Sequence, residues 1–384
     1  MSELHSDDQT AGHPNDRAVI RLRPKSKPQA IRHGFPWVFA DEAVLDRRTK
    51  ALPPGGLAVL EDAERQPLAL VTVNPVSKII ARVMDTDPGA VIDGAWLRAR
   101  LTRALQMRER IYDEPFYRLV HAEADGLPGL VIDRFGDAAV IQPNAAWADG
   151  MAEDIADALI EVAGVSTVVL NGQGRSRGLE GLAERLEVIR GTAPSGPVQV
   201  RMNGATYLAD LLGGQKTGLF FDQRPNHAFA QRLVDGGSVL DVFSHVGGFG
   251  LAALAAGADS ALCIDGSAPA LELARGGAAA MGAADRLETQ QSDAFDALEA
   301  LAEQGRTFDV VVCDPPAFAP SKPALEKGLR AYERVAKMAA PLVAPGGYLV
   351  LCSCSHAADL TAFRNVSARG IGRGGRRGVL IHTG

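Results

Sequence analysis

Apolar and polar residues alternate in short segments from residue 17 to residue 90. The segments are AVIRL, PWVFADEAVL, LAVLED, PLALVTVNP and KIIARVM, and proline and glycine separate them. A period of two is typical of strands with one buried face, and Pro and Gly mark the turns between such strands. The pattern therefore predicts a small all-β domain over residues 17–90.

A mixed pattern follows over residues 91–200. A helical stretch runs from Trp96 to Ile111, and the strand candidates after it are YRLVHAE, LPGLVIDRFGDAAVIQ and STVVLNG. Among these strands lies a further predicted helix, WADGMAEDIADALIEVAG. The pattern predicts a small central α/β domain, and the loop-forming residues TAPSGP at 192–197 indicate a linker at its end.

The last part, residues 201–384, alternates short apolar strands with Ala-rich helical stretches. The strand candidates are SVLDVFS, SALCIDGS, FDVVVCDPP, GYLVLCSCS and RGVLIHTG. Strands that alternate with helices are typical of parallel βαβ units. We therefore predict a doubly wound, Rossmann-like domain, with RGVLIHTG as its sixth strand.

Composition narrows the class of protein without naming a function. Hydrophobic residues make up 46% of the chain, yet no apolar run approaches the ~20 residues of a membrane helix. The polar, acidic stretch at residues 1–16 predicts a disordered tail rather than a signal peptide. The four cysteines form no disulfide framework, which favours reduced thiols and a cytoplasmic location. A Cys-x-Cys pair without a second pair is a poor zinc site, so no metal is predicted.

The net charge of -6 argues weakly against general nucleic-acid binding, but basic residues cluster locally. Local basic patches can hold phosphates on an acidic chain. The first cluster comprises Arg17, Arg21, Arg23, Lys25, Lys27 and Arg32. Others comprise Arg98, Arg100, Arg103, Arg108 and Arg110, and Arg364, Arg369, Arg373, Arg376 and Arg377. A solvated helix face is an equal alternative for the second cluster.

Acidic and small residues stand where the strands of the last domain end, and ligands bind at that edge of a doubly wound sheet. After the first strand comes DVFSHVGGFG, in which Gly247, Gly248 and Gly250 allow a tight turn into a helix. After the second strand, Asp265 follows Asp241 at about the interval of a ribose-binding carboxylate.

The remaining strand ends continue the acidic series. Asp293 can accept a hydrogen bond from an adenine amino group, and the neighbouring Phe295 can pack on the ring. The fourth strand ends in DPPAF, residues 314–318, and the fifth in LVLCSCSH. A single Asp here is more often an exposed loop acid, and Cys263 and Cys313 fit small buried hydrophobes. Several such ends on one edge, with a short glycine run, favour S-adenosylmethionine over a dinucleotide.

Several of these stretches resemble one bacterial family. DPP before an aromatic resembles motif IV of class I methyltransferases that act on planar nitrogens or bases, and RLRPKSKPQAIRHGFPWVFADEAV resembles a PUA domain, an RNA-binding β-barrel. HAEADGLPGLVIDRFGD (121–137) and KTGLFFDQRPNH (216–227) resemble signature stretches of the PUA-containing 23S ribosomal RNA (cytosine-5) methyltransferases. The likeness extends from residue 17 over nearly the whole chain.

The resemblance implies a PUA-like β-barrel, a small central α/β domain and a Rossmann-like class I methyltransferase domain, with S-adenosyl-L-methionine as cofactor. The stretch before the first Rossmann strand would fold over the cofactor's methionine moiety. The predicted cofactor-binding residues are Asp241, Phe243, Gly247, Gly248, Asp265, Ser267, Asp293, Ala294, Asp314, Phe220, Asp222, Gln223 and Arg224. The predicted substrate-binding residues are Pro315, Pro316, Phe318, Arg21, Arg23, Lys25 and Arg32.

A cysteine has a definite role in this chemistry. Carbon 5 of cytosine becomes nucleophilic only after attack at carbon 6, and a thiolate can make that attack and later leave. The family's motif resembles Ser-Cys-Ser and aligns with Ser353, Cys354 and Ser355, so the resemblance assigns Cys354 as nucleophile and Cys352 as a strand residue. Periodicity alone does not separate the two cysteines. Asp314 would hydrogen-bond the ring edge of cytosine, and Phe318 would stack on the flipped base.

Three alternatives remain open. An amino-group methyltransferase that makes N2-methylguanosine fits the same D-P-P-aromatic stretch and the nearby APSK, and it needs no cysteine. A binding factor that kept the fold without catalysis would take up no S-adenosylmethionine. Cys354 itself would then be an inert buried thiol. We also expect Trp37 to belong to the core of the first domain rather than to an RNA-stacking surface.

The pattern departs from the family at its end. Class I methyltransferases close their sheet with a sixth strand and a seventh, antiparallel strand, and the seventh is expected to be missing here. Unpaired edges would then remain on strands five and six. The family's pattern implies RNA, namely 23S ribosomal RNA, as partner, no membrane, and allows a homodimer.

Overall fold

The computed structural model describes residues 17–213 and 218–384, which divide into two compact units between Ala193 and Pro194. That division falls inside the predicted linker. The predicted tail, residues 1–16, lies outside the described residues, and so do Lys216 and Thr217 of the signature stretch. Among the described residues, no helix is long and apolar enough to span a bilayer.

The first unit begins with a five-stranded sheet in the order β1-β3-β4-β5-β2. Its elements are β1 (Ala18–Arg21), α1 (Pro28–Arg32), β2 (Trp37–Phe39), α2 (Arg47–Lys50), β3 (Gly56–Glu61), β4 (Pro67–Val73) and β5 (Ile79–Asp85). The two edge strands are joined just beyond their ends, because Leu22 bridges Ala43 and the amide of Val44 donates to the carbonyl of Arg21 at 2.8 Å. This link draws the sheet towards a closed barrel.

Alternation along these strands matches the burial of their side chains. Ile20, Val38, Leu60 and Val71 are fully buried and meet in one apolar cluster. Successive strand residues point to opposite faces, and in β1, β2 and β3 the neighbours of the buried residues are partly or largely exposed, whereas β4 is buried on both faces. The sequence pattern thus predicted the strands of this region but not the short helices α1 and α2. Trp37 is partly buried and is absent from the apolar cluster that contains Val38, so the expectation that it belongs to the core of this domain was wrong.

A second sheet completes the first unit, with strands in the order β10-β9-β8-β7-β6. The elements are α3 (Gly94–Glu109), β6 (Phe116–His121), β7 (Leu130–Phe135), β8 (Ala138–Pro143), α4 (Ala146–Gly150), α5 (Ala152–Ala163), β9 (Thr167–Asn171), α6 (Arg175–Leu179) and β10 (Leu186–Arg190). The predicted helix that begins near Trp147 is divided at Met151, and β10 was not among the predicted strands. Its residues alternate too weakly to show a buried face.

A buried glutamate links the two sheets of this unit. The carboxylate of Glu180 accepts hydrogen bonds from both terminal nitrogens of Arg82, at 2.8 and 3.2 Å, and from the hydroxyl of Ser77 at 2.7 Å. The side-chain amide of Asn74 donates to the same carboxylate at 2.9 Å. Multiple partners compensate the cost of burying this charge.

The second unit is built on a parallel sheet, as the alternating pattern predicted, with strands in the order β15-β14-β13-β16-β17. A hairpin precedes it, formed by β11 (Val198–Met202) and β12 (Ala205–Ala209). The later elements are α7 (Arg224–Gln231), β13 (Ser238–Val242), α8 (Gly248–Ala255), β14 (Ser260–Asp265), α9 (Ala268–Ala280), β15 (Leu287–Gln291), α10 (Ala294–Glu303), β16 (Phe308–Cys313), α11 (Leu325–Ala339), β17 (Val343–Leu351) and α12 (Leu360–Arg373).

The strand order reverses between β13 and β16. The chain runs from β13 outward to β14 and β15, then returns to place β16 and β17 on the other side of β13. In such sheets, the crevice for ligands opens at the carboxyl ends of the strands where the order reverses. The ends of β13 and β16 carry Asp241 and Asp314.

The prediction of a sixth strand in RGVLIHTG was wrong. These residues form no strand, and Val379, Leu380 and Ile381 are 88%, 58% and 60% exposed. The helix before them ends at glycines, of which Gly375 has a left-handed φ of 76°, and the chain then runs to α7 instead of the sheet edge. There the ring of His382 stacks on Phe229, with centroids 3.7 Å apart. Among the described strands, β17 pairs with β16 alone.

Candidate active site

Asp241 is a buried carboxylate near the end of β13. Its Oδ2 accepts hydrogen bonds from the backbone amides of Phe249 at 3.1 Å and Gly250 at 2.8 Å, whereas Oδ1 has no hydrogen-bond partner among the described residues. Burial raises the pKa of Asp241 to about 7, helped by the charges of Asp314 and Asp265 and opposed by the two amide bonds. A buried acceptor without a partner indicates a place for a donor from a ligand.

The turn after β13 has an unusual backbone. Phe243 and His245 adopt left-handed φ values of 64° and 50°, and Gly247 follows at 81°. Such values strain residues with a side chain and are found at functional turns. The ring of His245 meets Phe220 edge-on, with centroids 5.2 Å apart.

The glycines after this turn let α8 pack tightly on its neighbours. A Cβ at Gly248 would lie 2.8 Å from Nε2 of His227, and one at Gly250 would lie 2.4 Å from Sγ of Cys263. Gly247 would meet Ala274 at 3.1 Å. We predicted Gly247 and Gly248 as cofactor-binding residues, and the structure gives all three glycines a packing role as well.

The next two strand ends place their acids on the same edge of the sheet as Asp241, because β14 lies next to β13 and β15 lies next to β14, all parallel. Asp265 accepts from the backbone amides of His245 and Ser267, each at 2.8 Å. The hydroxyl of Ser267 accepts from the amide of Ala270 and caps α9. Each carboxylate oxygen has a second lone pair, so these bonds leave acceptors for a ligand.

Asp293 caps α10 and Ala294 is the first residue of that helix. The carboxylate of Asp293 accepts from the backbone amides of Phe295 at 2.8 Å and Asp296 at 3.3 Å. The side chain of Ala294 is buried. The structure therefore brings the three predicted acids to one edge of the sheet, each with its orientation fixed by a local amide.

Asp314 stands at the end of β16, on the other side of β13. Burial raises its pKa to about 6, the hydrogen bond from Gln223 lowers it, and the charge of Asp222 raises it again. The side-chain amide of Gln223 donates to Oδ2 of Asp314 at 2.8 Å, and its oxygen accepts from Asn226 at 2.7 Å. Gln223 was predicted beside the methionine moiety, and here it holds Asp314.

The loops after β16 and β17 are tied to each other around Cys354. The thiol of Cys354 points to the carbonyl oxygen of Pro315, with sulfur and oxygen 3.8 Å apart. The hydroxyl oxygen of Ser355 accepts from the amide of Ala319 at 2.8 Å and lies 2.6 Å from the hydroxyl oxygen of Tyr332. These contacts hold the two loops together.

The two neighbouring cysteines differ in their surroundings. Cys354 is exposed, whereas Cys352 is partly buried, and the amide of Cys352 continues the sheet by donating to the carbonyl of Cys313 at 2.9 Å. Burial, and then the charge of Asp314, raise the pKa of Cys352 well above its usual value. Cys352 therefore stays a neutral thiol at physiological pH.

Phe318 packs within an aromatic group beside this site. Its ring centroid lies 5.0 Å from Tyr332, 6.3 Å from Phe243 and 6.4 Å from Phe295. The side chain is partly buried. Pro315 is buried and Pro316 is exposed.

Sequence reasoning missed two residues that organise the site, Tyr332 and Asn226. Tyr332 lies on the buried face of α11, where an amphipathic helix predicts only core packing. The sequence also did not predict how the backbone of Arg224 is held. Its carbonyl accepts a hydrogen bond from the side-chain amide of Asn203 at 2.8 Å. No local sequence signal reports such contacts.

The predicted basic substrate-binding residues belong to the first unit. Arg21 pairs with Glu61 at 2.9 Å and Arg32 with Asp62 at 3.1 Å, so part of their charge is neutralised. Arg23 donates to the carbonyl of Ala43 at 2.9 Å. Lys25 is exposed.

Comparison with known proteins matches both units. Residues 20–86 match the family model of the PUA-like domain, and residues 185–370 match that of the S-adenosylmethionine-dependent methyltransferase. The ribosomal RNA large subunit methyltransferase I of Shewanella denitrificans is 35% identical over 358 residues, which cover 91% of this chain and 88% of the relative. That of Photobacterium profundum is 35% identical over 353 residues, or 90% and 87%.

The chain belongs to the ribosomal RNA large subunit methyltransferase I family. A solved structure from Streptococcus mutans, named as a SAM-dependent methyltransferase, supports the fold, with a TM-score of 0.75 at 16% identity over 92% of this chain and 90% of that one. A second structure with the same values is a methyltransferase in complex with S-adenosylhomocysteine.

As a member of this family, the protein uses S-adenosylmethionine. The residues present fit that cofactor. The unpartnered Oδ1 of Asp241 is an acceptor for a buried donor, and the cofactor carries an ammonium group and ribose hydroxyls. Among residues 17–213 and 218–384, no group of His, Cys, Asp or Glu is arranged to hold a metal ion.

Proposed function

We propose that this protein methylates carbon 5 of a cytosine in 23S ribosomal RNA, with Cys354 as the nucleophile. The relatives' names supply the large-subunit ribosomal RNA. The observation that carries the proposal is the contact between the thiol of Cys354 and the carbonyl of Pro315 at 3.8 Å. Pro315 directly follows Asp314, so the thiol and the carboxylate lie at the ends of two adjacent strands.

The acids at the strand ends are the proposed cofactor contacts. Asp265 would bind the ribose hydroxyls and Asp293 the adenine amino group, because carboxylates accept from both. Asp241 would take a donor with its unpartnered oxygen. Phe220 and Arg224 come from the turn and helix beside Gln223 and would face the methionine moiety. When bound, S-adenosylmethionine supplies an electrophilic methyl group on its sulfonium.

The side chains of this chain then account for the remaining chemistry. The thiolate of Cys354 adds to carbon 6 of the cytosine, and carbon 5 becomes nucleophilic. Asp314, whose pKa lies near 6, can donate a proton to ring nitrogen 3 as the thiolate adds. After methylation, water takes the proton from carbon 5, the thiolate leaves carbon 6, and ring nitrogen 3 returns its proton to Asp314, which restores the aromatic ring and the carboxylic acid. Phe318, which is partly exposed, would stack on the flipped base.

A pair of cysteine variants tests the proposal. Cys354→Ala should bind S-adenosylmethionine as the parent does, measured by titration calorimetry, but should transfer no labelled methyl group to 23S ribosomal RNA. Cys352→Ala is the matched control and should keep transfer. Asp314→Asn cannot donate the proton, so its rate should fall by about 10²-fold or more.

Two outcomes would count against the proposal. Methyl transfer by Cys354→Ala would favour the amino-group alternative, and mass mapping of the labelled RNA would then show the methyl group on guanine. A parent chain that takes up no S-adenosylmethionine would favour a binding factor. Mapping of ribosomal RNA from cells with and without the gene would locate the nucleotide, and sedimentation would test for a homodimer.

A further inference from the structure

His227 is a buried histidine on α7 that takes no part in the proposed chemistry. It is 4% exposed, and its Nδ1 has no hydrogen-bond partner among residues 17–213 and 218–384. Burial lowers the pKa of His227 to about 4, so the ring is neutral at physiological pH. A buried nitrogen without a partner destabilises the fold, and an apolar side chain would avoid this cost. A histidine at this position therefore calls for an explanation.

The ring of His227 lies against the start of α8. A Cβ at Gly248 would lie 2.8 Å from Nε2 and 3.1 Å from Cε1 of the ring, so the backbone of α8 touches the imidazole at this point. The ring of Phe249 meets the imidazole edge-on, with centroids 4.5 Å apart. Tyr207 stacks on the imidazole at 6.2 Å, and its hydroxyl donates to the carbonyl of Gly248 at 3.0 Å. The first turn of α8 is thus held from α7 and from β12.

The same turn of α8 orients Asp241. The backbone amides of Phe249 and Gly250 donate to Oδ2 of this carboxyl at 3.1 and 2.8 Å. A shift of α8 relative to α7 would change both distances. It would also turn Oδ1, the oxygen that has no partner among the described residues. The contacts therefore run without a gap from the imidazole through the α8 backbone to Asp241.

We propose that His227 is a positioning residue for cofactor binding, because its ring sets the distance between α7 and α8 and thereby the orientation of Asp241. A side chain at residue 248 would leave no room for the ring, so Gly248 and His227 are matched in size. The inference rests on one part of the proposed function, namely Asp241 as a contact of S-adenosylmethionine. It does not depend on which base is methylated.

Titration calorimetry of the full chain with S-adenosylmethionine and S-adenosylhomocysteine tests the inference without methyl transfer. The informative pair is His227→Gln and His227→Asn. The amide of a glutamine extends about as far from the backbone as Nε2 and can fill the contact with Gly248, whereas that of an asparagine extends only as far as Nδ1. His227→Gln should keep the affinity of the parent. His227→Asn should raise both dissociation constants about tenfold, the loss expected for a misaligned hydrogen bond to a buried carboxyl.

Two further measurements separate positioning from packing. In methyl transfer, His227→Asn should raise the KM for S-adenosylmethionine and leave kcat at saturating cofactor unchanged, because the contacts end at Asp241. Phe229→Ala is the matched control on the same helix, where the ring stacks on His382 and lies under the guanidinium of Arg232. It should lower the free energy of unfolding in urea without changing cofactor affinity.

The outcomes distinguish this inference from the proposed function. Equal cofactor affinities of His227→Asn and the parent would overturn the inference alone. Losses of affinity that follow the losses of stability across all three variants would show a packing role and would overturn it too. A fall in kcat at unchanged KM would do the same, since the ring would then act on the reacting groups. A parent that takes up no S-adenosylmethionine would overturn the proposed function as well.

Discussion

The hydroxyl oxygen of Tyr332 lies 2.6 Å from the hydroxyl oxygen of Ser355, and this contact joins a helix to the loop that carries Cys354. Ser355 is buried and also accepts from the amide of Ala319. Three segments that are distant in sequence therefore meet at one hydroxyl. This meeting places the thiol beside the end of β16.

Ser355→Ala should reduce turnover without weakening cofactor binding. Loss of the hydroxyl leaves the amide of Ala319 and the hydroxyl of Tyr332 without their common partner, and a displaced thiol reacts more slowly. Since a misplacement of 1 Å can cost about 10²-fold, kcat should fall by about 10- to 100-fold. Single-turnover methyl transfer measures this, with S-adenosylmethionine affinity determined in parallel.

The controls for that prediction lie in the same loop. Ser355→Thr keeps the hydroxyl and should recover much of the rate. Ser353→Ala removes a hydroxyl that accepts from the amide of Ser355 at 3.3 Å, and should have a small effect. Equal rates for the alanine variant at 355 and the parent would show that the hydroxyl does not position the thiol.

Gly250→Ala should destabilise the second unit and weaken cofactor binding. The added Cβ would meet Sγ of Cys263 at 2.4 Å and Oδ2 of Asp241 at 3.5 Å, so α8 must shift. Overpacking of this kind costs about 1–3 kcal/mol in the free energy of unfolding. Urea denaturation and titration calorimetry measure the two effects.

A glycine in another helix provides the contrast. A Cβ at Gly372 in α12 meets nothing within 4 Å. Gly372→Ala should therefore be neutral or stabilise the protein by up to about 1 kcal/mol, because alanine loses less backbone entropy in a helix. A Gly250→Ala variant as stable as Gly372→Ala would contradict the close approach of α8 to β14.

Asp241→Asn should change the pH dependence of stability. Burial raises the folded-state pKa of Asp241 from its ordinary value of 3.8 to about 7. The folded protein therefore holds a proton that the unfolded chain has released, and this stabilisation is complete below about pH 4 and is lost as pH rises to 7. Asp241→Asn has no carboxylate at this position, so its stability should not fall in this way as pH rises.

Denaturation in urea without cofactor, at pH 5 and at pH 7.5, checks this sign. Between pH 5 and pH 7.5, the free energy of unfolding of the parent should fall by about 2–4 kcal/mol relative to that of Asp241→Asn. This range follows from about 1.4 kcal/mol for each unit of pKa shift. A difference between parent and variant that stays constant with pH would show that the carboxylate is charged throughout.

Glu180→Gln should strongly destabilise the first unit. Glu180 and Arg82 have side chains only 4% and 10% exposed, so the variant leaves an arginine charge buried without compensation. Breaking a buried pair on one side costs about 3–5 kcal/mol in the free energy of unfolding. Glu161→Gln is the matched control, since Glu161 pairs with Arg98 at the surface and should contribute about 0–1 kcal/mol. Equal urea midpoints for the two variants would contradict this account.

Local patterning alone predicted much of the fold. Alternation with a period of two identified β3, β4 and β5, and the change to strands separated by Ala-rich helices identified the parallel sheet. The pattern failed at RGVLIHTG, because an apolar segment becomes a strand only when the chain brings it to the sheet edge, and after α12 the chain runs to α7 instead. Its residues are instead exposed.

The order of residues along the chain was enough to predict which chemical groups stand at the strand ends, including Asp241, Asp314 and the two cysteines near β17. The folded structure was needed to show which cysteine is exposed, that Gln223 holds Asp314, and that Tyr332 supports the loop of Cys354. The difference lies in the separation of the contacting residues along the chain. Periodicity reports the burial of a residue relative to its chain neighbours, whereas these contacts join residues brought together by strand order and helix packing.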